Sequence, residues 1–435
     1  MIQRDKQILQ IALPSILSNI TVPLLGLIDV AIVGHLGAPA YIGAIAVGGL
    51  MFNIIYWIFG FLRMGTSGMT SQAFGQRDLP EVMRLLLRAT GIGLTIAIGL
   101  IVMQSPIRQA VFLLVHPTDE VSRLATTYFH ICIWGAPAIL MLYGLTGWYI
   151  GMQNSRIPMI VAIVQNLVNI AASLFFVYIC HMKVEGVAFG TLIAQYAGLI
   201  TAIWVGRLRY QKLGKYLTLK GVWRKAALIR FFQVNRDIFL RTLCLVAVTL
   251  FFTSAGAAQG EIVLAVNTLL MQLFTLYSYI MDGFANAGEA LSGRYLGARN
   301  KASFTDSIHR LFLWGSGMAL LFTTLYAIGG ESFLHLLTDD RNVTATANTY
   351  FYWALAIPIC GMAAFIWDGI YIGATATRGM LISMAVAVII FFLLYYGLVA
   401  SLGNHALWLA FICYLGVRGA VQTLLASKLY KQFDA

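Results

Sequence analysis

Charge is scarce in this 435-residue chain. Only 11% of its residues are Asp, Glu, Lys or Arg, whereas about a quarter are charged in ordinary soluble domains. Hydrophobic residues make up 60% of the sequence, and the mean hydropathy is +0.80. This composition excludes a soluble enzyme and predicts a polytopic membrane protein, since lipid is the solvent for most of the chain.

Sequence signatures of catalysis and metal binding are also missing. The five cysteines show no CxxC or Cys/His spacing, so they are interpreted as packing residues rather than as metal ligands. The sequence has no P-loop, no HExxH and no GxSxG. We therefore expect neither an enzyme nor a bound metal or cofactor. Without a nucleotide site, any transport across a membrane would have to be passive or driven by an ion gradient.

Long apolar runs dominate the chain. A helix of about 20 apolar residues crosses a bilayer, and twelve runs of about that length or more are bounded by charges or by Gly, Pro and Asn clusters. They cover residues 8–33, 42–73, 83–115, 122–149, 157–180, 187–208, 231–256, 262–291, 304–329, 346–373, 380–402 and 406–427. The sequence thus predicts an all-α protein with twelve transmembrane helices.

The basic residues that produce the net charge of +12 lie mostly in alternate connections between the runs. By the positive-inside rule, both termini are expected to be cytoplasmic. The expected location is the cell (inner) membrane. The richest connection, 207–230, has eight Arg or Lys and no acid. It is too short for a folded nucleic-acid-binding domain, so we attribute its charge to topology and to contact with lipid.

An internal repeat relates the two halves of the sequence. A shift of 222 residues aligns 75–156 with 297–378 without a gap and yields sixteen identities, where chance would give roughly six. We call this shift the repeat offset. Because each repeat has six spans, an even number, both repeats enter the membrane from the same side and are parallel. We expect an N-lobe (1–208) and a C-lobe (231–435), joined by a basic cytoplasmic linker (209–230), with a central cleft for alternating access.

One acidic residue lies deep in the first run. Asp29 has no Lys or Arg near it in sequence, and a carboxyl without water or a cation favours its neutral form. It is therefore a candidate for binding and releasing a proton, although a structural, hydrogen-bonded Asp is the alternative. Pro14 and Pro23 lie in the same helix and favour a kink. Asn166 and Asn169 share a face of the fifth span and could bond this carboxyl or simply pack helices.

The second half contains three acids in its cytoplasmic third: Asp282, Glu289 and Asp368. They are expected to pair with Arg241 or Arg63 as structural bridges, or else to line an inner vestibule for cations. Asp237, at the start of the seventh span, is interpreted as a helix cap. A mixed polar and aromatic stripe in the eighth span is the candidate substrate lining; it consists of Asn267, Met271, Gln272, Phe274 and Tyr277.

Seven short segments of the sequence stand out together. They are GLIDVAIVGHLG at 26–37, LRMGTSG at 62–68, SQAFG at 71–75, NRD at 235–237, AVN at 265–267, DGFA at 282–285 and DGIYIGA at 368–374. In combination they resemble the multidrug and toxic compound extrusion (MATE) family, in its DNA-damage-inducible F (DinF) branch. The resemblance covers essentially the whole chain and implies a twelve-helix transporter of two six-helix lobes.

The resemblance also implies roles for individual residues. The first-helix Asp of the DinF branch couples transport to the ion, and the Pro fifteen residues earlier bends the helix; these correspond to Asp29 and Pro14. The fifth-helix Asn corresponds to Asn169. Many relatives have a second acid where this sequence has Ser173, a departure that favours a proton over Na⁺ in this lobe.

The sequence therefore predicts a monomeric efflux transporter that exchanges organic cations or amphiphiles for protons. Asp29 is the proton-coupling residue, and protonation bends the first helix at Pro14. One alternative is coupling to Na⁺ through the C-lobe acids. A second is a flippase for lipid-linked precursors, which the scarcity of mid-membrane Arg disfavours.

Overall fold

The computed structural model describes residues 3–115, 118–337 and 340–434, and within them the chain is helical without any strand. The α-helices are α1 (Gln3–Gly34), α2 (Pro39–Ile58), α3 (Phe61–Gly75), α4 (Leu79–Val102), α5 (Gln104–Val115), α6 (Asp119–Cys132), α7 (Ala136–Gly151), α8 (Arg156–Leu174), α9 (Val184–Arg209), α10 (Lys225–Ala257), α11 (Glu261–Gly297), α12 (Lys301–Leu337), α13 (Arg341–Gly373), α14 (Thr377–Leu402), α15 (Asn404–Leu425) and α16 (Ser427–Tyr430).

Twelve helical stretches in the described residues are long and apolar enough to cross a membrane, and each predicted run falls on one of them. The all-α, twelve-span prediction is therefore confirmed. Several spans are not continuous helices, however. The second is divided between α2 and α3 near Gly60, and the fourth is divided between α6 and α7 by a 3₁₀ turn, Ile133–Gly135. The predicted third span, 83–115, was too long, because the helix breaks at Met103 and α5 is a separate element.

The chain divides into two compact units. The first unit comprises residues 17–231, and the second comprises residues 1–16 together with 232–435. The boundary between Ile16 and Leu17 lies inside α1, so one continuous helix contributes to both units. The connection between α9 and α10 is shorter than the predicted linker, 209–230, because α10 already begins at Lys225.

The repeat is visible in the backbone. Arg77 and Arg299 both have a positive φ, of 61° and 52°, and so do Gln153 and Thr375, with 63° and 50°. The members of each pair are separated by the repeat offset, and each of them follows the end of a helix. The left-handed conformation is a common way to end a helix, because it lets backbone N–H groups reach the last free carbonyls. The two halves thus terminate corresponding helices in the same way.

Close helix crossings repeat with the same spacing. A Cβ atom added to Gly147 would lie 2.2 Å from the carbonyl oxygen of Arg63, and one added to Gly369 would lie 2.2 Å from that of Ala285. Arg63 and Ala285 are also separated by the repeat offset. Only glycine allows these backbones to approach so closely, which accounts for the matched glycines in the sequence alignment.

Candidate functional site

Three helices of the first unit converge on the carboxyl of Asp29. Asp29 lies on α1 and is only 4% exposed. Its Oδ2 accepts a hydrogen bond from the hydroxyl of Thr191 on α9, over 3.4 Å, and Nδ2 of Asn169 on α8 donates to the same hydroxyl oxygen over 3.1 Å. Asn169, Thr191 and Asp29 therefore form a buried chain of hydrogen bonds.

The approach of α8 to α9 depends on a glycine. A Cβ atom at Gly190 would lie 2.1 Å from Oγ of Ser173 and 2.8 Å from its backbone nitrogen. The missing side chain at 190 lets the two helices pack closely beside the neighbouring Thr191. The small residue thus brings the Thr191 hydroxyl within reach of the Asn169 amide.

Three oxygens of this cluster have no hydrogen-bond partner in the described part of the chain. They are Oδ1 of Asp29, Oδ1 of Asn169 and Oγ of Ser173, and all three residues are buried. Asp29 also forms no ion pair with a described residue. A buried polar atom without a partner costs free energy, so the site can accept a proton or a bound cation. The described residues contain no group of three or more metal-ligating His, Cys, Asp or Glu side chains.

The two asparagines of the fifth span are in different environments. Asn169 is fully buried at the Asp29 site, whereas Asn166 is half-buried and donates from Nδ2 to the carbonyl of Ala162 in its own helix, over 2.8 Å. The structure therefore brings only Asn169 to the carboxyl chain. Thr191 belongs to the site and was missed in the sequence. Its only signal was that Thr191 and Gln195, one turn apart, form a short polar stripe in an otherwise apolar span.

The helix that carries Asp29 begins in the second unit. Nε of Arg4 donates to Oδ2 of Asp306 over 2.9 Å, and the indole N–H of Trp314 donates to Oδ1 of Asp5 over 3.2 Å. Pro14 belongs to this anchored part, three residues before Leu17, where the first unit begins. The helix nevertheless continues through Pro14 without interruption.

Asp368 pairs with two arginines, as the sequence analysis partly predicted. It is 6% exposed, and its Oδ2 accepts a hydrogen bond from Nη2 of Arg241. The same oxygen accepts a second hydrogen bond from Nη2 of Arg418, over 2.6 Å. The amide of Gln422 donates to Oδ1 over 2.6 Å. Arg241 was a predicted partner, whereas Arg418 and Gln422 were not predicted. The carboxylate is thus neutralised inside the second unit.

The other second-half acids differ from Asp368. Asp282 is exposed, and Glu289 is 2% exposed, with its backbone oxygen against Gly373. The interpretation of Asp237 as a cap was wrong, because α10 begins twelve residues earlier. Asp237 is instead buried inside the helix, where Oδ2 accepts from the Thr377 hydroxyl over 3.2 Å.

The predicted substrate stripe on α11 is largely engaged in protein contacts. Asn267 exchanges amide hydrogen bonds with Asn404, and its oxygen also accepts from the indole of Trp408. Tyr277 is buried and donates to the carbonyl of Pro358. The aromatic ring of Phe274 packs against the rings of Phe365 and Phe411, whereas Met271 is half-buried and Gln272 is exposed.

Comparison with known proteins gives concordant matches. The family model MatE matches residues 14–175 and again residues 238–396. DNA damage-inducible protein F of Escherichia coli (strain K12) is 39% identical over 424 residues, which is 95% of this chain and 90% of that protein. Multidrug and toxin extrusion protein 1 of Homo sapiens is 26% identical over 356 residues, which is 78% of this chain and 59% of that protein.

A solved structure described as MATE in the bent conformation has the same fold. Its TM-score is 0.89 at 18% sequence identity, and the match covers 100% of this chain and 98% of that chain. The two matches to the family model fall one in each half of the chain, and corresponding ends are separated by nearly the repeat offset. They therefore agree with the repeat found in the sequence and in the backbone.

Proposed function

The chain belongs to the MatE family, whose members are membrane transporters rather than enzymes, and we propose that it is a proton-coupled antiporter that extrudes organic cations and amphiphiles. The relatives named for multidrug and toxin extrusion support the substrate class. The observation that carries proton coupling is the carboxyl of Asp29, which is buried without an ion pair and has one oxygen without a hydrogen-bond partner among the described residues.

The proposed coupling step is a proton exchange at Asp29. A buried carboxylate with a single 3.4 Å hydrogen bond, from Thr191, is poorly solvated, so it gains stability when it takes up a proton. The protonated carboxyl then donates a hydrogen bond to an oxygen of the same cluster that lacks a partner among the described residues, such as Oδ1 of Asn169. Binding of a cationic substrate in the same cycle favours release of the proton.

We propose that protonation bends α1 at Pro14. Proline has no N–H to donate to the carbonyl four residues earlier, so the helix is weakest there. The division of the chain between Ile16 and Leu17 supports this hinge, because the boundary between the compact units lies within one helical turn of Pro14. A bend at this residue would let Asp29 and the anchored start of α1 move independently.

The site chemistry favours a proton over Na⁺. A hard cation takes about six oxygen ligands, whereas the Asp29 site supplies one carboxyl, with the amide of Asn169 and the hydroxyls of Ser173 and Thr191. In the alternative of Na⁺ coupling through Asp282, Glu289 and Asp368, Asp368 is a weak ligand because two arginines already hold it.

The proposal also includes orientation and substrate contact. We propose that the side of the membrane that carries most of the Arg and Lys is the cytoplasmic side, with both termini there. We also propose that the protein is a monomer in the inner membrane. Of the predicted lining residues, Met271 and Gln272 are the best candidates for substrate contact, because their side chains are the least engaged.

Proteoliposomes test the proposal directly. The full chain is reconstituted and efflux of a fluorescent organic cation is measured under a pH gradient alone and under a Na⁺ gradient alone. We expect the pH gradient to drive efflux. Asp29→Asn should abolish it, because the amide retains the size and polarity of the side chain but does not titrate.

Two control variants accompany this experiment. Asp29→Glu keeps a titratable carboxyl and should retain part of the coupling. Asp78→Asn changes an acid that caps α4 through the backbone N–H of Glu81, and Asn caps equally well, so transport should be unchanged. Efflux driven by the pH gradient in Asp29→Asn would refute the assignment, and efflux driven only by Na⁺ would favour the alternative.

A further inference from the structure

The basic linker between α9 and α10 is folded onto the first unit. The carbonyl of Val222 accepts a hydrogen bond from Nε of Arg88 over 2.9 Å, and both residues are buried. The indole of Trp223 covers Gly91, where a Cβ atom would lie 2.7 Å from the ring. The linker is therefore held against the N-terminal half of α4, between Arg88 and Gly91.

Two arginines converge on a glycine in this linker. Gly221 has a φ of +85°, and a Cβ atom there would lie 3.2 Å from Nε of Arg224 and 3.3 Å from Nε of Arg84. Nε of Arg84 is buried and has no hydrogen-bond partner in the described residues. Because Gly221 has no side chain, both guanidinium groups come close to the same point of the backbone. We call this group of residues the Gly221 cradle: Arg84, Gly221 and Arg224.

The arginines in and beside the cradle carry more positive charge than the neighbouring carboxylate can neutralise. Arg84 and Arg88 share the carboxylate of Glu81, at 3.5 Å and 3.1 Å, and Arg224 has no ion pair with a described residue. Three guanidinium groups thus face one carboxylate. The linker itself contains no acid between 209 and 230. Converging guanidinium groups bind phosphate especially well, because their N–H donors match its oxygens.

Apolar side chains beside the cradle indicate which phosphate it fits. Leu219 is 71% exposed and Trp223 is 50% exposed, although both lie in a strongly basic segment. Tryptophan at the end of a membrane span commonly lies at the level of the lipid headgroups. A free anion would not require these apolar neighbours, whereas a phospholipid has an acyl chain to cover them.

We propose that the Gly221 cradle binds the phosphate of an anionic phospholipid headgroup in the adjoining membrane leaflet. The phosphate lies between Arg84 and Arg224, and the lipid chains run beside Trp223 along α4. Bound lipid supplies the negative charge that the three arginines lack. It also fixes the linker, and with it the connection between the two compact units, at the membrane surface.

Native mass spectrometry of the purified full chain in detergent, titrated with phosphatidylglycerol, tests this proposal. We expect Arg84→Gln/Arg224→Gln to raise the dissociation constant about 25-fold, since the loss of each arginine's charged hydrogen bond to the phosphate should cost at least about a five-fold change. The matched control, Lys212→Gln/Lys215→Gln, removes the same charge from exposed positions of the same linker. It should change the constant by less than about three-fold.

Two outcomes would overturn the proposal. Equal weakening by both double variants would mean that the basic linker attracts lipid without a defined site. Competition by inorganic phosphate, with no preference for phosphatidylglycerol, would mean that the cradle is a small-anion site. Thermal unfolding without added lipid confirms that each variant is folded. If the glutamine variant unfolds, Arg84→Lys keeps the charge near Glu81 but removes the Nε donor, and it should still weaken binding.

Discussion

Removal of the Asp368 carboxylate should destabilise the second unit strongly. Asp368→Ala deletes the group that accepts hydrogen bonds from Arg241, Arg418 and Gln422. Both guanidinium groups are nearly excluded from water, with 10% and 3% of their side chains exposed. They would remain in place without a counter-charge.

The size of the effect follows from this burial. Removing one partner of a buried ion pair costs about 3–5 kcal/mol, because the remaining charge is uncompensated. Here two charges lose the same partner, so we expect the free energy of unfolding to fall by at least about 3 kcal/mol. Replacing the whole cluster by apolar residues, as in Arg241→Met/Asp368→Leu/Arg418→Met, should recover most of this loss, since it removes the buried charges as well.

Unfolding in mixed micelles, followed by circular dichroism as the denaturing detergent is increased, measures these differences. Asp434→Ala is the control, because its pair with Lys301 is exposed and spans 4.0 Å, so its loss should cost less than about 1 kcal/mol. The reasoning would be refuted if Asp368→Ala left stability unchanged but removed Na⁺-dependent transport. Asp368 would then be an ion ligand rather than the partner of two arginines.

Two further substitutions test the hinge and the helix crossing. Pro14→Ala restores a helix donor and should slow efflux at a fixed pH gradient, whereas Pro23→Ala, which lies within one unit, should have a smaller effect; equal rates in proteoliposomes would contradict a hinge at Pro14. Gly147→Ala inserts a methyl 2.2 Å from the carbonyl of Arg63 and should lower stability by about 1–3 kcal/mol. Gly99→Ala, with nothing within 4 Å of the added methyl, should be neutral or stabilising in the same thermal unfolding assay.

Hydropathy predicted the number of spans well because lipid imposes length and composition on every crossing segment. It did not predict where helices break. The end of α4 at Val102 is followed by a polar stretch with a proline, Gln104-Ser105-Pro106, which the apolar residues further on outweighed. The interruption near Gly60 lies within apolar sequence, so no change in hydropathy marks it. Such breaks depend on how neighbouring helices pack, which a single run of residues does not encode.

The same limit applies to the candidate site. Asp29 was identifiable because an isolated acid in an apolar run is costly, and Asn169 because it shares a span with a second amide. Thr191 was not, since threonine is common in membrane helices and its role depends on the close approach at Gly190. Asp237 was misinterpreted because hydropathy placed the start of its helix several residues too late.

The two halves of the chain share a backbone pattern but differ in their ionisable side chains. Gly147 and Gly369 meet equivalent carbonyls, yet the preceding residue is Thr146 in the first half and Asp368 in the second. Phe391, which corresponds to Asn169 at the repeat offset, is buried among aromatic rings. The second half thus neutralises Asp368 with arginines, whereas Asp29 in the first half forms no ion pair with a described residue. This contrast favours ion coupling at Asp29 over coupling at Asp368, because a proton at Asp29 changes the charge of a buried group that no described cation neutralises.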